Sequence, residues 1–279
     1  MGGSLKLVQA ASAIEIRQRH PCFNGEAHKR VGRVHLPIAP RCNIQCNFCE
    51  RNICASVTMQ HPGWTAKILS VREAVELVRS IMCSKAEEDF VVGVAGPGDP
   101  LANEGTFEAL RLIYRLYPGI LKCISTNGLI LEDRLPQILE VGVRALTVTV
   151  NAPDSAVGER IYSWVRYRGM TYRGQEAAQV LITSQFCGIR KALHAGLAIK
   201  VNTVLIPGVN DRHMVKLALR LKEAGVTLMN IMPLIPSGRM KNYRAPTCDE
   251  LREARRDCEG LVPQFYRCEQ CRADVVYLP

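Results

Sequence analysis

The chain of 279 residues has no apolar run that approaches the roughly 20 residues of a membrane-spanning helix. Aromatic residues make up only 6% of it and are not interleaved with Lys and Arg, as a base-stacking surface requires. Its first residues lack an apolar core followed by a cleavage site, so we expect no signal peptide and a cytoplasmic protein. Membrane and nucleic-acid partners are therefore not expected. The net charge of +10 is spread along the chain and suits a small anionic ligand.

Cysteine is abundant instead, with 12 residues. Because disulfides are disfavoured in a reducing cytosol, cysteines at short spacing predict metal binding or redox chemistry. Cys42, Cys46 and Cys49 follow the pattern C-x3-C-x2-C. Three such thiolates can bind three corners of a [4Fe–4S] cluster and leave the fourth iron open to S-adenosylmethionine (SAM). A zinc site is the alternative, but zinc prefers a closed set of four ligands and no fourth ligand follows at short range.

Short β-rich runs alternate with amphipathic stretches, which is typical of repeated βαβ units. We predict strands at 33–39, 90–95, 121–125, 145–150, 198–205 and 226–231. We predict helices at 70–82, 106–117, 131–141, 174–195 and 211–224. Six such units predict an α/β fold, a partial (β/α)6 TIM-like barrel with its site at the C-terminal strand ends. We expect the barrel at 32–236, an N-terminal extension at 1–31 and a C-terminal extension at 237–279, both extensions carrying cluster ligands.

Glycines and polar side chains follow several predicted strands, where a barrel places its site. In the turn 96–100, Gly96 and Gly98 permit close backbone approach, and Asp99 can accept a hydrogen bond from the amino group of SAM. The further candidate SAM contacts are Thr126, Asn127, Asn151, Asn202, Ile231 and Met232. Two alternatives stay open, because Asn-Gly is a common turn pair and Ile231 and Met232 also suit the core.

Further cysteines lie far apart in the sequence. A C-x2-C pair near the C-terminus needs two more ligands to hold a metal, and histidine is an acceptable one. The candidates for additional metal binding are His20, Cys22, Cys54, Cys123, Cys268 and Cys271. Isolated cysteines are usually small buried apolar residues, which we expect for Cys83, Cys187, Cys248 and Cys258. The remaining histidines show no ligand spacing, and we expect surface or core positions for His28, His35, His61, His194 and His213.

Taken together, these segments resemble the NifB family of radical SAM proteins, which matures the nitrogenase cofactor. The resemblance runs from about residue 20 to the C-terminus. Its segments include 20–22 (His-Pro-Cys), the cysteine motif at 38–49, the turn at 95–103, 162–167 (Tyr-Ser-Trp-Val-Arg-Tyr) and 268–274 (Cys-Glu-Gln-Cys-Arg-Ala-Asp). The C-x3-C-x2-C spacing alone identifies only the superfamily, whereas the last two segments are much more specific to the NifB family.

The resemblance implies an enzyme that fuses two [4Fe–4S] substrate clusters and inserts a carbide, giving the precursor NifB-co. One SAM would donate a methyl group to a cluster sulfide. A 5′-deoxyadenosyl radical from a second SAM would abstract hydrogen from that methyl. By position, Cys22, Cys54 and Cys123 would hold one substrate cluster, and the other would be held by His20, Cys268 and Cys271. The implied partners are a ferredoxin or flavodoxin as electron donor and the carrier and scaffold proteins of nitrogenase assembly.

One segment departs from the family pattern. After Cys54 the family usually reads Ala-Asn-Glu-Ser-Arg-Pro-Gly, whereas 55–63 here reads Ala-Ser-Val-Thr-Met-Gln-His-Pro-Gly. Val57 thus replaces the acidic residue expected near the reacting centre. The departure keeps open a divergent paralogue that uses auxiliary clusters on another substrate. A non-catalytic cluster scaffold is a third alternative, although a scaffold has no need of the turn 96–100. The resemblance is to the short, stand-alone form of the family, without the carrier-like C-terminal domain of some members.

Overall fold

The structure, a computed structural model, describes residues 12–55, 61–83 and 90–279. Val57 lies outside these residues, so its position stays a sequence observation. The strands are β1 (Gly32–His35), β2 (Ile44–Cys46), β3 (Asn52–Ile53), β4 (Trp64–Thr65), β5 (Phe90–Val94), β6 (Leu121–Thr126), β7 (Val143–Thr149), β8 (Tyr162–Tyr167), β9 (Met170–Tyr172), β10 (Ala198–Leu205), β11 (Met229–Pro233) and β12 (Val276–Tyr277). The α-helices are α1 (Ala13–Arg19), α2 (Ala27–Arg30), α3 (Val71–Met82), α4 (Glu104–Leu116), α5 (Leu131–Glu140), α6 (Ser155–Gly158), α7 (Gly174–His194), α8 (Met214–Glu223) and α9 (Cys248–Glu259).

Six parallel strands form the central sheet, in the order β1-β5-β6-β7-β10-β11. The strand β12 adds antiparallel to β1 at one edge, and β11 lies at the other. Because the two edges do not pair with each other, the barrel is open. Parallel strands covered on both faces read as continuous apolar runs, and every residue of β5 is buried. The predicted partial barrel of six βα units is confirmed.

The helix α3 begins at a capping box predicted by the spacing of Ser70 and Glu73. The hydroxyl of Ser70 accepts from the backbone N–H of Glu73 at 3.2 Å, and the Glu73 carboxylate accepts from the Ser70 backbone N–H at 2.8 Å. Both interactions satisfy donors that the first turn of a helix leaves unpaired. The amphipathic helix then buries Ala74, Val75, Val78 and Ile81 against the sheet core.

Strand bounds differ from the prediction by three or more residues at two places. The sixth strand begins at Met229 rather than 226, because the backbone N–H of Val226 closes the end of α8 on the carbonyl of Leu221 at 3.0 Å. The first strand ends at His35, but its extended continuation runs beside the segment after β5 and forms an isolated bridge between Ala39 and Pro97. Both shifts leave the C-terminal strand ends at the same edge of the sheet.

A second, three-stranded sheet was not predicted from the sequence. The strand β2 pairs antiparallel with β8, and β8 pairs with β9 through a turn at Arg168 and Gly169, both with positive φ. This sheet braces the segment that carries the C-x3-C-x2-C motif. The predicted boundaries of the terminal extensions stay a prediction. Within the described ranges, no helix combines the length and apolarity needed to cross a membrane.

Candidate active site

A cavity of about 280 Å³ lies inside the open barrel and extends to the C-terminal strand ends. On β10 the lining residues alternate as Lys200, Asn202 and Val204, because successive side chains of a strand point to opposite faces. The N-terminal segment contributes His20 and Cys22, and the C-terminal segment contributes residues 267–271. The cavity therefore joins three regions that are distant in the sequence.

One end of the cavity is formed by the cluster loop, which we define as residues 42–49. Cys42, Cys46 and Cys49 all line the cavity. The side-chain amide of Gln45 donates to the carbonyls of Cys46 and Cys49, each at 2.9 Å. The guanidinium of Arg51 in turn donates to the Gln45 side-chain oxygen at 2.9 Å. These contacts hold the loop in a curve that turns all three thiols toward one space.

The three thiols of the loop provide the all-sulfur donor set that an iron–sulfur cluster requires. Within the part of the chain that is described, no three His, Cys, Asp or Glu side chains converge closely enough to share one ion. In a cubane each thiolate binds a different iron, so its three sulfurs stand further apart than the ligands of one zinc ion. Burial raises the pKa of Cys42 to about 12 and also raises the pKa values of Cys46 and Cys49. Binding of iron must therefore displace protons from these thiols.

The turn after β5 packs directly against the approach to the cluster loop. A Cβ on Gly98 would lie 2.2 Å from the carbonyl oxygen of Arg41 and 2.8 Å from that of Ala39, so only glycine fits there. The backbone N–H of Gly98 donates to Ala39 at 2.6 Å. Gly96 has φ +152°, and its carbonyl accepts from the backbone N–H of Ala39 at 3.4 Å. Gly96 is not itself among the residues that line the cavity.

Asp99 is only 3% exposed, and protein donors already occupy its carboxylate. One oxygen accepts from the backbone N–H of Leu101 at 3.0 Å, and the other accepts from that of Asn127 at 2.6 Å. The hydroxyl of Thr126 lies 3.1 and 2.9 Å from the two oxygens. Burial raises the pKa of Asp99, while these hydrogen bonds act in the opposite direction. The carboxylate thus ties the end of β5 to the end of β6.

The predicted asparagines line the cavity: Asn127 and Asn151 follow the ends of β6 and β7, and Asn202 lies within β10. The Asn127 side-chain nitrogen donates to Asn43 at 2.6 Å and lies 3.7 Å from Sγ of Cys42. Asn151 is fully buried, and its side-chain oxygen accepts from the backbone N–H of Val204 at 2.9 Å. The side-chain oxygen of Asn202 accepts from the Asn230 amide at 3.0 Å. Asn151 and Asn202 thus link β10 to the strands on either side of it, and Asn127 links the end of β6 to the cluster loop.

Of the two predicted β11 contacts, only Met232 lines the cavity. Ile231 is fully buried in the core, and its carbonyl accepts two bonds from the guanidinium of Arg255, at 3.0 and 2.7 Å. The Ile231 side chain is therefore a core residue, which is one of the two alternatives that the sequence pattern left open. Met232 contacts one of the additional cysteines, with its Sδ 3.6 Å from Sγ of Cys268.

The far end of the cavity, which we call the inner end, collects five of the six additional ligand candidates. They are His20, Cys22, Cys123, Cys268 and Cys271. Burial raises the pKa of Cys271 to about 11 and also raises that of Cys123, where the neighbouring Cys22 acts in the same direction. Cys54 is not among the lining residues. Its backbone N–H donates to Thr65 at 2.8 Å, and the segment that follows residue 55 lies outside the described residues.

Two imidazoles of the cavity, the buried His20 and the partly buried His35, have opposite hydrogen-bond arrangements. In His20, Nδ1 accepts from the backbone N–H of Cys22 at 3.0 Å, which leaves the ring proton on Nε2. In His35, Nδ1 donates to the carbonyl of Arg272 at 3.1 Å, which leaves the lone pair on Nε2. Burial lowers the pKa of His20 to about 3 and that of His35 to about 4, so both rings are neutral.

Several cavity residues were missed by the sequence prediction, among them Arg33, His35 and Lys200. His35 is the last residue of β1, and its place at a strand end was a usable signal. The expectation of buried isolated cysteines was correct for Cys258 but wrong for Cys83 and Cys248, which are exposed. Cys248 is the first residue of α9, where the helix faces solvent.

Comparisons with known proteins agree with this geometry. The profile of the Radical SAM superfamily matches residues 36–221. The FeMo cofactor biosynthesis protein NifB of Methanocaldococcus infernus is 45% identical over 259 residues, which are 93% of this chain and 85% of that protein. The NifB protein of Klebsiella pneumoniae is 40% identical over 264 residues, which are 92% of this chain and 56% of that protein.

Solved structures share the fold at much lower identity. Streptococcus suis SuiB bound to S-adenosylmethionine has a TM-score of 0.57 at 12% identity, covering 85% of this chain and 50% of that one. Methylornithine synthase (PylB) has a TM-score of 0.56 at 14% identity, covering 88% of this chain and 67% of that one. The superfamily profile matches two thirds of the chain, and NifB proteins that are 45% and 44% identical to it are covered to 85% and 87% of their length. This chain therefore belongs to the NifB family of radical SAM enzymes.

Proposed function

We propose that this protein acts in FeMo-cofactor biosynthesis for nitrogen fixation, fusing two [4Fe–4S] clusters and inserting a SAM-derived carbide. One observation carries the proposal. Four cysteines from three distant segments, Cys22, Cys123, Cys268 and Cys271, line the same cavity as the cluster loop. A cavity that binds only SAM has no use for a second group of thiols. The related proteins, which are FeMo cofactor biosynthesis proteins NifB, support the same assignment.

In this proposal Cys42, Cys46 and Cys49 hold the resident [4Fe–4S] cluster. That cluster, when bound, supplies the electron that cleaves SAM. The protein's own part is to present the three thiols on a braced loop and to shape the SAM pocket. Asn127 is the side chain placed to orient a ligand at the cluster, because it lies beside Cys42 at the cavity wall. Asp99 shapes the pocket through its bonds to the strand ends rather than through a free oxygen.

The two substrate clusters would bind at the inner end. Five of the ligands that the resemblance implies are kept in this proposal: Cys22, Cys54, Cys123, Cys268 and Cys271. The geometry favours His35 over His20 as the imidazole ligand. A metal-binding histidine commonly donates its other ring N–H to a carbonyl, which is the arrangement of His35 with Arg272. His20 with its proton on Nε2 is suited instead to donate a hydrogen bond to a cluster sulfide.

The proposed partners follow from this chemistry. The enzyme needs a one-electron donor such as ferredoxin or flavodoxin, and a carrier or scaffold protein of nitrogenase assembly to take the product. The formal charge of +10 supports both, since acidic proteins and anionic clusters are attracted to a basic surface. We place the activity in the cytoplasm, where exposed thiols such as Cys83 and Cys248 stay reduced.

Anaerobic reconstitution with iron, sulfide, SAM and a reductant tests the reaction. The proposal predicts S-adenosylhomocysteine together with 5′-deoxyadenosine, because one SAM is used for methyl transfer and another for hydrogen abstraction. Deoxyadenosine without the homocysteine product would instead identify an enzyme acting on another substrate, the alternative that the changed 55–63 segment supports. A reconstituted protein that forms neither product would be a cluster scaffold.

A double variant tests the ligand assignment separately. Cys268→Ala with Cys271→Ala should lose about one cubane of iron while SAM cleavage is retained, because the cluster loop is unaffected. Cys248→Ala is the matched control, since Cys248 is exposed on α9 and does not line the cavity. Equal iron content in the double variant and the control would contradict the assignment of the C-terminal pair.

A further inference from the structure

Lys200 is a cation buried in the middle of β10, with 2% of the residue exposed. Its ammonium donates to the carbonyl of Cys22 at 2.8 Å. The rings of Phe23 and Phe265 lie 5.4 and 4.9 Å from the nitrogen. Among the described residues, no carboxylate forms an ion pair with Lys200. The side chain lines the cavity at its inner end.

A buried ammonium without a counter-ion is costly, because it loses its hydration and gains no opposite charge. A carbonyl dipole and two aromatic faces reduce that cost, but they do not neutralise the charge. Natural proteins rarely bury a lysine fully unless it is paired. Because Lys200 also lines the open cavity, an anion bound there would supply the missing counter-charge.

The surroundings identify the kind of anion. Arg33 is a second cation at the inner end, also 2% exposed, with Nε and Nη1 that have no partner in the described structure. Its Nη2 donates to Glu269 at 2.5 Å and lies 3.9 Å from Sγ of Cys271. Glu269 also lies 3.3 Å from Nε2 of His28, so this carboxylate is shared between Arg33 and His28 and is not paired with Lys200. Thiols of Cys22 and Cys123 complete the wall.

We propose that Lys200, assisted by Arg33, is a positioning residue that selects substrate clusters by their negative charge and stabilises their reduced state. A cluster core bound by three thiolates is a net anion, and each electron that it accepts makes it more negative. A fixed cation in a low-dielectric cavity therefore favours the reduced form. The inference rests on the proposed function, because it takes the inner end to be the place where substrate clusters bind.

Lys200→Met tests the inference in the full chain, reconstituted anaerobically with iron and sulfide. The substitution removes the charge but keeps an unbranched apolar side chain of similar length. We expect auxiliary-cluster iron to dissociate at least tenfold faster than in the wild type. We also expect at least a tenfold loss in the preference for the reduced clusters, which is a midpoint shift of about 59 mV to more negative potential for one electron. Redox titration followed by electron paramagnetic resonance measures it.

Lys122→Met is the matched control. Lys122 is also a buried lysine of the same sheet, 1% exposed, with its ammonium bonded to the carbonyl of Ile120 at 2.7 Å and 4.6 Å from the ring of Tyr114. It does not line the cavity, so its replacement should leave the cluster potentials unchanged. Lys200→Arg restores a cation at the inner end and should return the potential and the iron retention toward wild-type values.

The thermal unfolding of the cluster-free proteins separates a charge effect from a folding effect. Cluster-free Lys200→Met should unfold at the same temperature as the wild type or higher, because it removes an uncompensated charge. A markedly lower temperature would mean that Lys200 is only a structural side chain and would overturn the inference. Wild-type potentials in a Lys200→Met protein that retains its auxiliary clusters would overturn it as well and leave the proposed function standing. A wild-type protein that holds iron for one cluster only would refute both.

Discussion

Asp99→Asn is expected to destabilise the folded chain before any SAM is added. Both carboxylate oxygens accept a backbone N–H, one from Leu101 at 3.0 Å and one from Asn127 at 2.6 Å. An asparagine has one oxygen and one NH2 group, so either orientation of the amide places an N–H donor against a backbone N–H. Since the site is buried, water cannot relieve that conflict.

The magnitude follows from these contacts. A hydrogen bond to a charged acceptor contributes about 1.5–3 kcal/mol, and a buried donor without an acceptor costs about 1–3 kcal/mol. The hydroxyl of Thr126 can rotate to accept from the new NH2, which reduces the sum. We therefore expect a loss of about 2–4 kcal/mol in the free energy of unfolding. At about 2–4 °C per kcal/mol, the melting temperature should fall by roughly 10 °C.

Urea and thermal unfolding of the cluster-free protein, followed by circular dichroism, measure this loss, and calorimetric SAM titration measures binding separately. Asp154→Asn is the control. Asp154 caps α6 through one backbone N–H at 3.0 Å, and its other oxygen faces the exposed Lys216. An asparagine there can turn its oxygen to the backbone, so the loss should stay below about 1 kcal/mol. If Asp99→Asn unfolds like the wild type but no longer binds SAM, Asp99 is a ligand contact and the reasoning from its hydrogen bonds is wrong.

Three further predictions concern other positions. Gly98→Ala should lower the free energy of unfolding by about 1–3 kcal/mol or more, because its Cβ would lie 2.2 Å from the carbonyl oxygen of Arg41. Gly260→Ala is the control, since a Cβ there meets open space and should leave the urea midpoint unchanged. Equal midpoints for the two variants would disprove the close approach at Gly98. The capping interactions lower the pKa of Glu73 to about 2, so its ionised form stabilises the fold above about pH 4.5 and that stabilisation is lost as the pH falls toward 2. The stability difference between wild type and Glu73→Gln should shrink over this window, and a difference that stays constant would contradict the assignment. Gln185 donates its side-chain amide to the carbonyls of Asn127 and Thr149, at the ends of β6 and β7, at 2.8 and 2.9 Å. Gln185→Leu removes this donor and should lower the free energy of unfolding by about 1–3 kcal/mol in a urea titration. An unchanged free energy would show that those carbonyls find other donors.

Features that depend on neighbouring residues could be read from the sequence. The alternation of β-rich and amphipathic segments indicated the βαβ units, because burial on a sheet or helix imposes a short period on the chain. The capping box at Ser70 and Glu73 was readable for the same reason, since its two partners are three residues apart. The motif of Cys42, Cys46 and Cys49 is also local, so its chemistry could be proposed from spacing alone.

Tertiary structure decided which distant residues meet. Cys22, Cys123 and Cys268 line one cavity because strand order and the path of both terminal segments bring them together, and no local period encodes that order. The same packing turns Lys200 and His35 inward. A lysine within a strand looks solvent-facing until the fold shows which side of the sheet is enclosed. Tertiary packing also places backbone N–H donors against both oxygens of Asp99. From the sequence alone, this role of Asp99 could not be distinguished from a hydrogen bond to SAM. Composition and spacing thus determined the kind of chemistry, and three-dimensional packing decided where its charges and thiols converge.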